Sequence, residues 1–123
     1  MKVLLNLTNH NLTNEQMESW DEVRNLPDNL KKLWSNIPPE FNCQQVKEHL
    51  KPIFEWIDNN SKNAVILTAG DFCAVLLVLQ HAIKTNIKVV QSTTKRESVE
   101  MKNEDGTVIK KSVFKHVQFR ELN

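Results

Sequence analysis

Short apolar runs recur along the chain and predict the strands of a buried sheet. Residues 2–8 predict a first strand, and the unbroken apolar run at 64–68 is typical of a central strand covered on both faces. Residues 87–91 predict the next strand, and a weaker run at 23–26, ended by Pro27, predicts a brief second strand. A helical segment separates the runs at 64–68 and 87–91, which favours a right-handed crossover and a parallel sheet.

Two short helices are predicted in the first third of the chain. Thr13–Gln16 has the sequence of a capping box, in which the threonine and glutamine side chains each bond the other residue's backbone N–H. Asp28 is expected to cap a second helix, which stops before two consecutive prolines. The three tryptophans lie in helical patterns and are predicted to be core residues: Trp20, Trp34 and Trp56.

Two longer helices are predicted in the middle of the chain. Apolar residues at three- and four-residue spacing in 44–59 predict a helix that lies on the sheet. Pro52 removes a backbone hydrogen bond there and is expected to kink this helix near Glu48. Asp71 opens the next helix, in which residues 74–79 are apolar nearly all round, so this helix is predicted to be deeply buried.

The pattern changes after residue 96, where polar and apolar residues begin to alternate. Residues 97–102 and 107–119 predict a β-hairpin around 103–106, whose Asp-Gly pair suits a tight turn. The sequence therefore predicts one α/β domain, residues 1–123, with a mostly parallel sheet, flanking helices and a C-terminal β-hairpin.

Composition narrows the class of protein. The chain is 40% hydrophobic and 25% charged, which is typical of a globular domain. No apolar run approaches the roughly 20 residues that span a bilayer, and the opening segment reaches Asn6 too early for a signal peptide, so a cytoplasmic protein without membrane contact is expected. The two cysteines, Cys43 and Cys73, are far apart and lack a CxxC pattern, which predicts reduced thiols without zinc or redox chemistry.

Charge is distributed unevenly along the chain. The formal net charge is +1, yet residues 88–123 carry 8 Lys+Arg against 5 Asp+Glu. A mild basic bias of this kind favours a small anionic ligand over duplex nucleic acid, which usually needs a broader basic face. A solvated surface with no partner explains the same numbers nearly as well.

Polar or small residues follow each predicted parallel strand. Asn9 and His10 follow the first strand, Gly70 and Asp71 follow the central strand, and residues 92–96 follow the next. In open parallel sheets, ligands bind outside the carboxyl ends of the strands. The sequence therefore predicts a site where these three turns meet.

Each candidate at the first two turns has a structural and a functional interpretation. Gly70 permits a tight turn and lets a ligand approach the backbone, or it serves the turn alone. Asp71 caps the following helix or binds a ribose hydroxyl, and the sequence favours neither. His10 is a general acid or base candidate, although a lone histidine in a turn is more often an ordinary surface residue.

The segment Thr93-Thr94-Lys95-Arg96 combines two hydroxyl groups with two cations. Hydroxyls can orient a phosphodiester, lysine acts on it as a point charge, and arginine can grip two of its oxygens at once. Interpreted as a turn after a parallel strand, this segment is the one expected to meet a phosphate. An exposed strand start with solvated side chains is the alternative.

Six segments together resemble those of a known protein family. They lie at Leu4-Leu5, at 10–16, at 33–39, at Gly70-Asp71-Phe72, at Ser92-Thr93-Thr94-Lys95-Arg96 and at 113–120. The combination is similar to the small stand-alone accessory proteins of type III CRISPR systems known as ring nucleases, and it covers nearly the whole chain. This resemblance implies a Rossmann-like, CARF-like fold and a homodimer that binds cyclic oligoadenylate, above all cyclic tetraadenylate, across its two-fold axis.

The resemblance also implies an activity and roles for individual residues. The expected reaction is metal-independent, cofactor-free attack of a ribose 2′-hydroxyl on the neighbouring phosphodiester, which linearises the messenger and switches off antiviral signalling. Lys95 and Arg96 would stabilise charge, with His116 (or His10) as acid or base. Substrate would be held by Asn9, His10, Gly70, Asp71, Phe72, Thr93 and Thr94. A sensor that binds the ring without turnover is the alternative, and a scaffold without a small ligand is a third.

Overall fold

A five-stranded sheet forms the centre of the protein, for which a computed structural model describes residues 1–123. The strands are β1 (Val3–Leu7), β2 (Glu22–Asn25), β3 (Ala64–Thr68), β4 (Lys88–Lys102) and β5 (Val108–Glu121). Their order is β2-β1-β3-β4-β5, with parallel pairing except between β4 and β5, which are antiparallel. The predicted mostly parallel sheet with a C-terminal hairpin is confirmed.

Five helices connect the strands. They are α1 (Asn14–Met17), α2 (Asp28–Ser35), α3 (Cys43–His49), α4 (Lys51–Asn60) and α5 (Phe72–Thr85). The predicted capping box at Thr13 and Gln16 is present, with both reciprocal hydrogen bonds formed. Asp28, by contrast, does not cap α2 but is its first residue, since Pro27 occupies the cap position without a side-chain bond. No helix in the chain combines the length and apolar character that crossing a membrane requires.

The core is divided between the two faces of the sheet. Alternate residues of β1 contribute to the larger cluster, which includes Val3, Leu5 and Leu7 together with the inward sides of the helices. Leu4 faces the other way and joins Leu67 and Val90 in a smaller cluster. All five residues of β1 and four of the five residues of β3 are buried, so both strands are covered on both faces of the sheet.

The helix predicted over 44–59 is two helices. α3 ends at His49 and α4 begins at Lys51, with fully buried Leu50 between them. Pro52 therefore lies in the first turn of α4, where no N–H group is needed, instead of kinking a continuous helix. In a continuous helix the Glu48 carbonyl would lack a hydrogen-bond donor, because Pro52 has no N–H group. The break between α3 and α4 avoids the loss of this hydrogen bond.

Burial of α5 and of the tryptophans differs in part from the prediction. Ala74 and Val78 are buried, but Leu76 and Ile83 are exposed, so α5 is covered along one side only. Trp34 is a core residue and Trp56 packs against the same cluster. Trp20 lies outside the helices, where its ring meets Phe119 edge to face at 5.4 Å.

β4 continues far beyond the predicted strand at 87–91. Its parallel partner β3 accompanies it only as far as Val90, and from there it pairs with β5 alone up to Lys102. We call this two-stranded extension, residues 93–118, the arm. The predicted Asp-Gly turn closes it: Asn103 N–H donates to the Thr107 carbonyl, and Gly106 has a φ of +86°. Thr93-Thr94-Lys95-Arg96 is therefore a strand segment and not a turn, because β5 supplies a partner along its whole length.

Candidate functional site

A cavity of about 360 Å³ opens at the carboxyl ends of β1 and β3, beside β4. The chain passes from β1 to β2 on one side and to β3 on the other, so the strand order reverses between β1 and β3. Such switch points are the places where open parallel sheets bind ligands. The cavity, which we call the strand-end cavity, is lined in part by Thr8, His10, Gln16, Thr68, Gly70, Phe72 and Ser92.

A hydrogen-bond network fixes the turn after β1 at the cavity wall. The Thr8 hydroxyl donates to Asn6 Oδ1 at 2.7 Å and accepts from the His10 N–H at 3.2 Å. Asn6 Nδ2 donates to the His10 carbonyl at 2.9 Å and to Asn25 Oδ1 at 3.0 Å. Because Asn6 and Thr8 are buried, these bonds satisfy polar groups that water cannot reach. The backbone of His10 is therefore held in place while its side chain stays exposed at the cavity.

Trp34 packs against the turn that follows β3. Its indole N–H donates to the Ala69 carbonyl at 3.0 Å, and the ring lies directly against Gly70. Gly70 has a φ of +149°, and a Cβ added there would lie 2.9 Å from Trp34 Nε1. Glycine is thus required both by the backbone conformation and by the close approach of the indole.

Asp71 is the cap of α5. Its Oδ1 accepts from the Ala74 N–H at 3.0 Å, which confirms the structural interpretation of this residue. The carboxylate is exposed, and it borders a second cavity of about 270 Å³ that is also lined by Asn9 and Gly70. Gly70 lines both cavities, Asn9 and Asp71 lie next to the strand-end cavity, and a ligand-binding role of Asp71 stays a prediction.

A serine and a histidine form a hydrogen-bonded pair at the β4 side of the cavity. Ser92 Oγ lies 2.6 Å from His116 Nδ1 and accepts a hydrogen bond from Gln16 Nε2 at 3.1 Å. With Nδ1 unprotonated, the Ser92 hydroxyl donates to it, as in the pairs that activate a hydroxyl group in enzymes. The His116 ring also packs against Phe119, with ring centroids 4.5 Å apart.

Thr68 carries a buried hydroxyl group without a hydrogen-bond partner in the protein. The residue is the last of β3, is only 3% exposed and lines the strand-end cavity. Buried hydroxyls are nearly always hydrogen-bonded, because an unpaired one costs about 1–3 kcal/mol. The position of Thr68 therefore makes it a candidate to bind a polar group in the cavity.

The four residues of the predicted phosphate segment are separated by their strand geometry. Thr93 lies at a β-bulge, and its hydroxyl is already engaged there, because it accepts a hydrogen bond from the Gln118 N–H at 3.2 Å. Thr94 and Arg96 lie on the same face of β4 as Ser92, whereas Lys95 lies on the opposite face. Arg96 donates to the Ser112 hydroxyl from Nε at 3.1 Å and from Nη2 at 3.0 Å. Lys95 and Arg96 therefore do not converge on one point within a single chain.

Sequence reasoning placed Thr68 and Ser92 at the ends of neighbouring predicted strands without giving either a role of its own, and it did not connect Gln16 with them. The sequence indicated only a capping-box role for Gln16. In the structure its Oε1 accepts from the Thr13 N–H and its Nε2 donates to Ser92 Oγ. Ser92 was visible as the residue before the basic segment. The contact between Ser92 and His116 depends on the β4–β5 register, which pairs Ser92 with Phe119 and Thr94 with His116.

Comparison with known proteins gives a consistent match over almost the whole chain. Residues 2–120 match the family described as "Uncharacterized protein MJ1673 family". "Uncharacterized protein MJ1673" of Methanocaldococcus jannaschii is 37% identical over 124 residues, which cover 95% of this chain and 94% of that protein. No solved structure matches the chain significantly. The protein belongs to the MJ1673 family.

Proposed function

We propose that this protein is a ring nuclease that binds cyclic tetraadenylate in the strand-end cavity and linearises it. The observation that carries the proposal is the Ser92–His116 pair, 2.6 Å apart, in which Ser92 lines the strand-end cavity beside the strand-order switch point. The order β2-β1-β3-β4-β5 also supports the assignment of a Rossmann-like, CARF-like fold, in which that switch point holds a nucleotide.

The reaction needs a group that removes a proton from the attacking hydroxyl. In our scheme the ribose 2′-oxygen forms a bond to phosphorus while the bond from phosphorus to the 5′-oxygen breaks. The 2′-hydroxyl proton passes to Ser92 Oγ as the Ser92 proton passes to His116 Nδ1. The leaving 5′-oxygen takes a proton from water, and the proton that His116 then releases neutralises the hydroxide left behind. The products are a 2′,3′-cyclic phosphate and a free 5′-hydroxyl.

Other groups at the cavity would hold the ring in line for this attack. The unpaired Thr68 hydroxyl can bond a phosphate or ribose oxygen, and Gly70 lines the same cavity. Phe72 lines the cavity and is 84% exposed, so its ring is available to stack on an adenine base. Asn9 and Asp71, in the adjoining cavity, would hold a second part of the same ligand.

The proposed active form is a homodimer in which two α5 helices meet. Phe72, Leu76 and Ile83 recur at helical spacing and are 84%, 42% and 60% exposed. This apolar stripe starts at the rim of the strand-end cavity, so pairing two copies through it would bring two cavities together. Cyclic tetraadenylate itself has two-fold symmetry, which suits a site on a two-fold axis.

We expect Ile83→Glu to convert the dimer into a monomer, because the new carboxylate would be desolvated between two apolar stripes. Light scattering coupled to size exclusion should show the mass falling to that of one chain. Met101→Glu is the matched control, since it adds the same charge at an exposed apolar position of the arm (54% exposed). If only Met101→Glu dissociates the protein, copies associate through their arms and the α5 interface is wrong.

Substitutions of Arg96 and Lys95 test which face of β4 contacts the ligand. Arg96 lies on the Ser92 face, about 13 Å further along β4, whereas Lys95 lies on the other face. Arg96→Ala should weaken binding of cyclic tetraadenylate about tenfold, and Lys95→Ala should change it less than twofold. Titration calorimetry on both variants measures this, and the reverse ranking would place the ligand on the opposite face of the arm.

Incubating the protein with cyclic tetraadenylate in EDTA, and separating the products by chromatography, tests the function. A ring nuclease gives linear products ending in a 2′,3′-cyclic phosphate. An intact ring that remains bound to the protein indicates the runner-up function, a sensor or sequestering protein. Absence of binding excludes both.

A further inference from the structure

Two cysteines from distant parts of the chain meet beside the strand-end cavity. Cys43 is the first residue of α3 and Cys73 the second residue of α5, and their Sγ atoms lie 3.0 Å apart without a bond between them. The sequence predicted two unrelated reduced thiols because thirty positions separate them. Packing of α3 against α5 brings them together, which sequence spacing could not show.

We propose that Cys43 and Cys73 form a reversible intramolecular disulfide when the protein meets hydrogen peroxide, joining the start of α3 to the start of α5. The geometry needs little adjustment, because a disulfide bond is about 2.05 Å long and the two sulfur atoms are already in contact. The chain contains only these two cysteines, so no other residue within it competes for the pairing. This modification site is independent of the proposed nuclease activity.

The oxidation divides into two balanced steps. The exposed Cys43 sulfur, as its thiolate, attacks one oxygen of the peroxide; the O–O bond breaks, and the other oxygen leaves as water after taking up a proton. Cys73 sulfur then attacks the Cys43 sulfenic acid, the S–O bond breaks, and the hydroxyl leaves as water with the Cys73 proton. Two thiols lose two electrons in total, and one peroxide becomes two waters.

The surroundings of the two thiols fit this division of roles. Hydrogen bonding to Cys43, followed by desolvation and the neighbouring Cys43 and Asp71, raises the pKa of Cys73 from 9.0 to about 11. Cys73 therefore keeps its proton at neutral pH and reacts second, as the resolving thiol. Cys43 is the more exposed of the pair, so peroxide reaches it first.

The cross-link would also stiffen the turn that borders the cavity. Cys73 directly follows Phe72, which lines the strand-end cavity, and Asp71, which caps α5. Joining this point to α3 closes a loop of roughly 30 residues in the unfolded chain, and a cross-link over a loop of that length raises the melting temperature by about 10–15 °C when the native geometry is undistorted.

Intact-mass analysis after peroxide treatment and alkylation tests the proposal on the wild-type chain. We expect both thiols to become unreactive together, a mass loss of about 2 Da, a single-chain band on a non-reducing gel and full reversal by dithiothreitol. Cys73→Ser should instead stop at a Cys43 sulfenic acid that dimedone traps, and Cys43→Ser should leave Cys73 free to alkylate. Two alkylated thiols in oxidised wild-type protein, stable sulfinic acid on either cysteine, or a cross-link between chains would each overturn the proposal.

Discussion

Replacing His116 by alanine should slow linearisation of cyclic tetraadenylate by about 10²–10⁴-fold, the range typical of a lost general base. The substitution removes the acceptor that lies 2.6 Å from Ser92 Oγ, so the serine can no longer pass a proton onwards. Binding should change little, because His116 contacts the ligand only through Ser92 in our scheme. Single-turnover rates and a binding titration on the same protein measure the two effects separately.

Two further histidines provide controls for this experiment. His81 pairs with Asp58 at 2.7 Å on the outside of the protein, so His81→Ala should leave the cleavage rate unchanged. His10 lines the strand-end cavity, and the sequence left it as the other acid or base candidate. A large rate loss in His10→Ala with none in His116→Ala would transfer the role to His10. Equal losses of rate and affinity in His116→Ala would make that residue a binding group only.

Replacing Gly70 by alanine should lower the free energy of unfolding by about 2–3 kcal/mol, the second large effect that we expect. The added methyl would meet Trp34 Nε1 at 2.9 Å, and the indole cannot retreat because it is 3% exposed and bonded to the Ala69 carbonyl. The positive φ adds backbone strain. Urea unfolding followed by tryptophan fluorescence measures the loss.

Gly106 is the matched control for this substitution. It also has a positive φ, +86°, but a Cβ added there would meet nothing within 4 Å. Gly106→Ala should therefore cost only the backbone strain, about 1 kcal/mol. The difference between the two variants isolates the contact with Trp34. Equal losses at both positions would mean that the indole does not support the turn.

Much of the sheet was predictable because buried parallel strands leave continuous apolar runs. β3 is such a run, β1 is apolar except for the buried Asn6, and the Asp-Gly turn of the hairpin follows from local turn chemistry. The length of β4 was not predictable, since residues 93–96 are polar and become a strand only through pairing with β5. The break at Leu50 was misjudged because Pro52 allows either a kink or a new helix start, and packing of Leu50 decides between them.

The site was predictable in position but not in composition. The rule that ligands bind at strand ends placed Gly70 and His10 correctly beside one cavity. Ser92 and Thr68 were placed at strand ends, but their individual roles were not predictable, because only the fold shows that Ser92 lies against His116 and that the Thr68 hydroxyl lacks a partner. The contact between the two cysteines likewise depends on helix packing, which cannot be inferred from the spacing of residues in the sequence.

A crystal structure of the His116→Ala protein with cyclic tetraadenylate tests the central claim most directly, because the ring should survive in it uncut. We predict the ring in the strand-end cavity, with one phosphodiester within hydrogen-bond distance of Ser92 and another polar group of the ligand bonded to Thr68. Two copies of the chain should share the ligand across the α5 stripe. A ring bound along the arm at Lys95, or anywhere that leaves Ser92 and Thr68 without contact, would contradict the account.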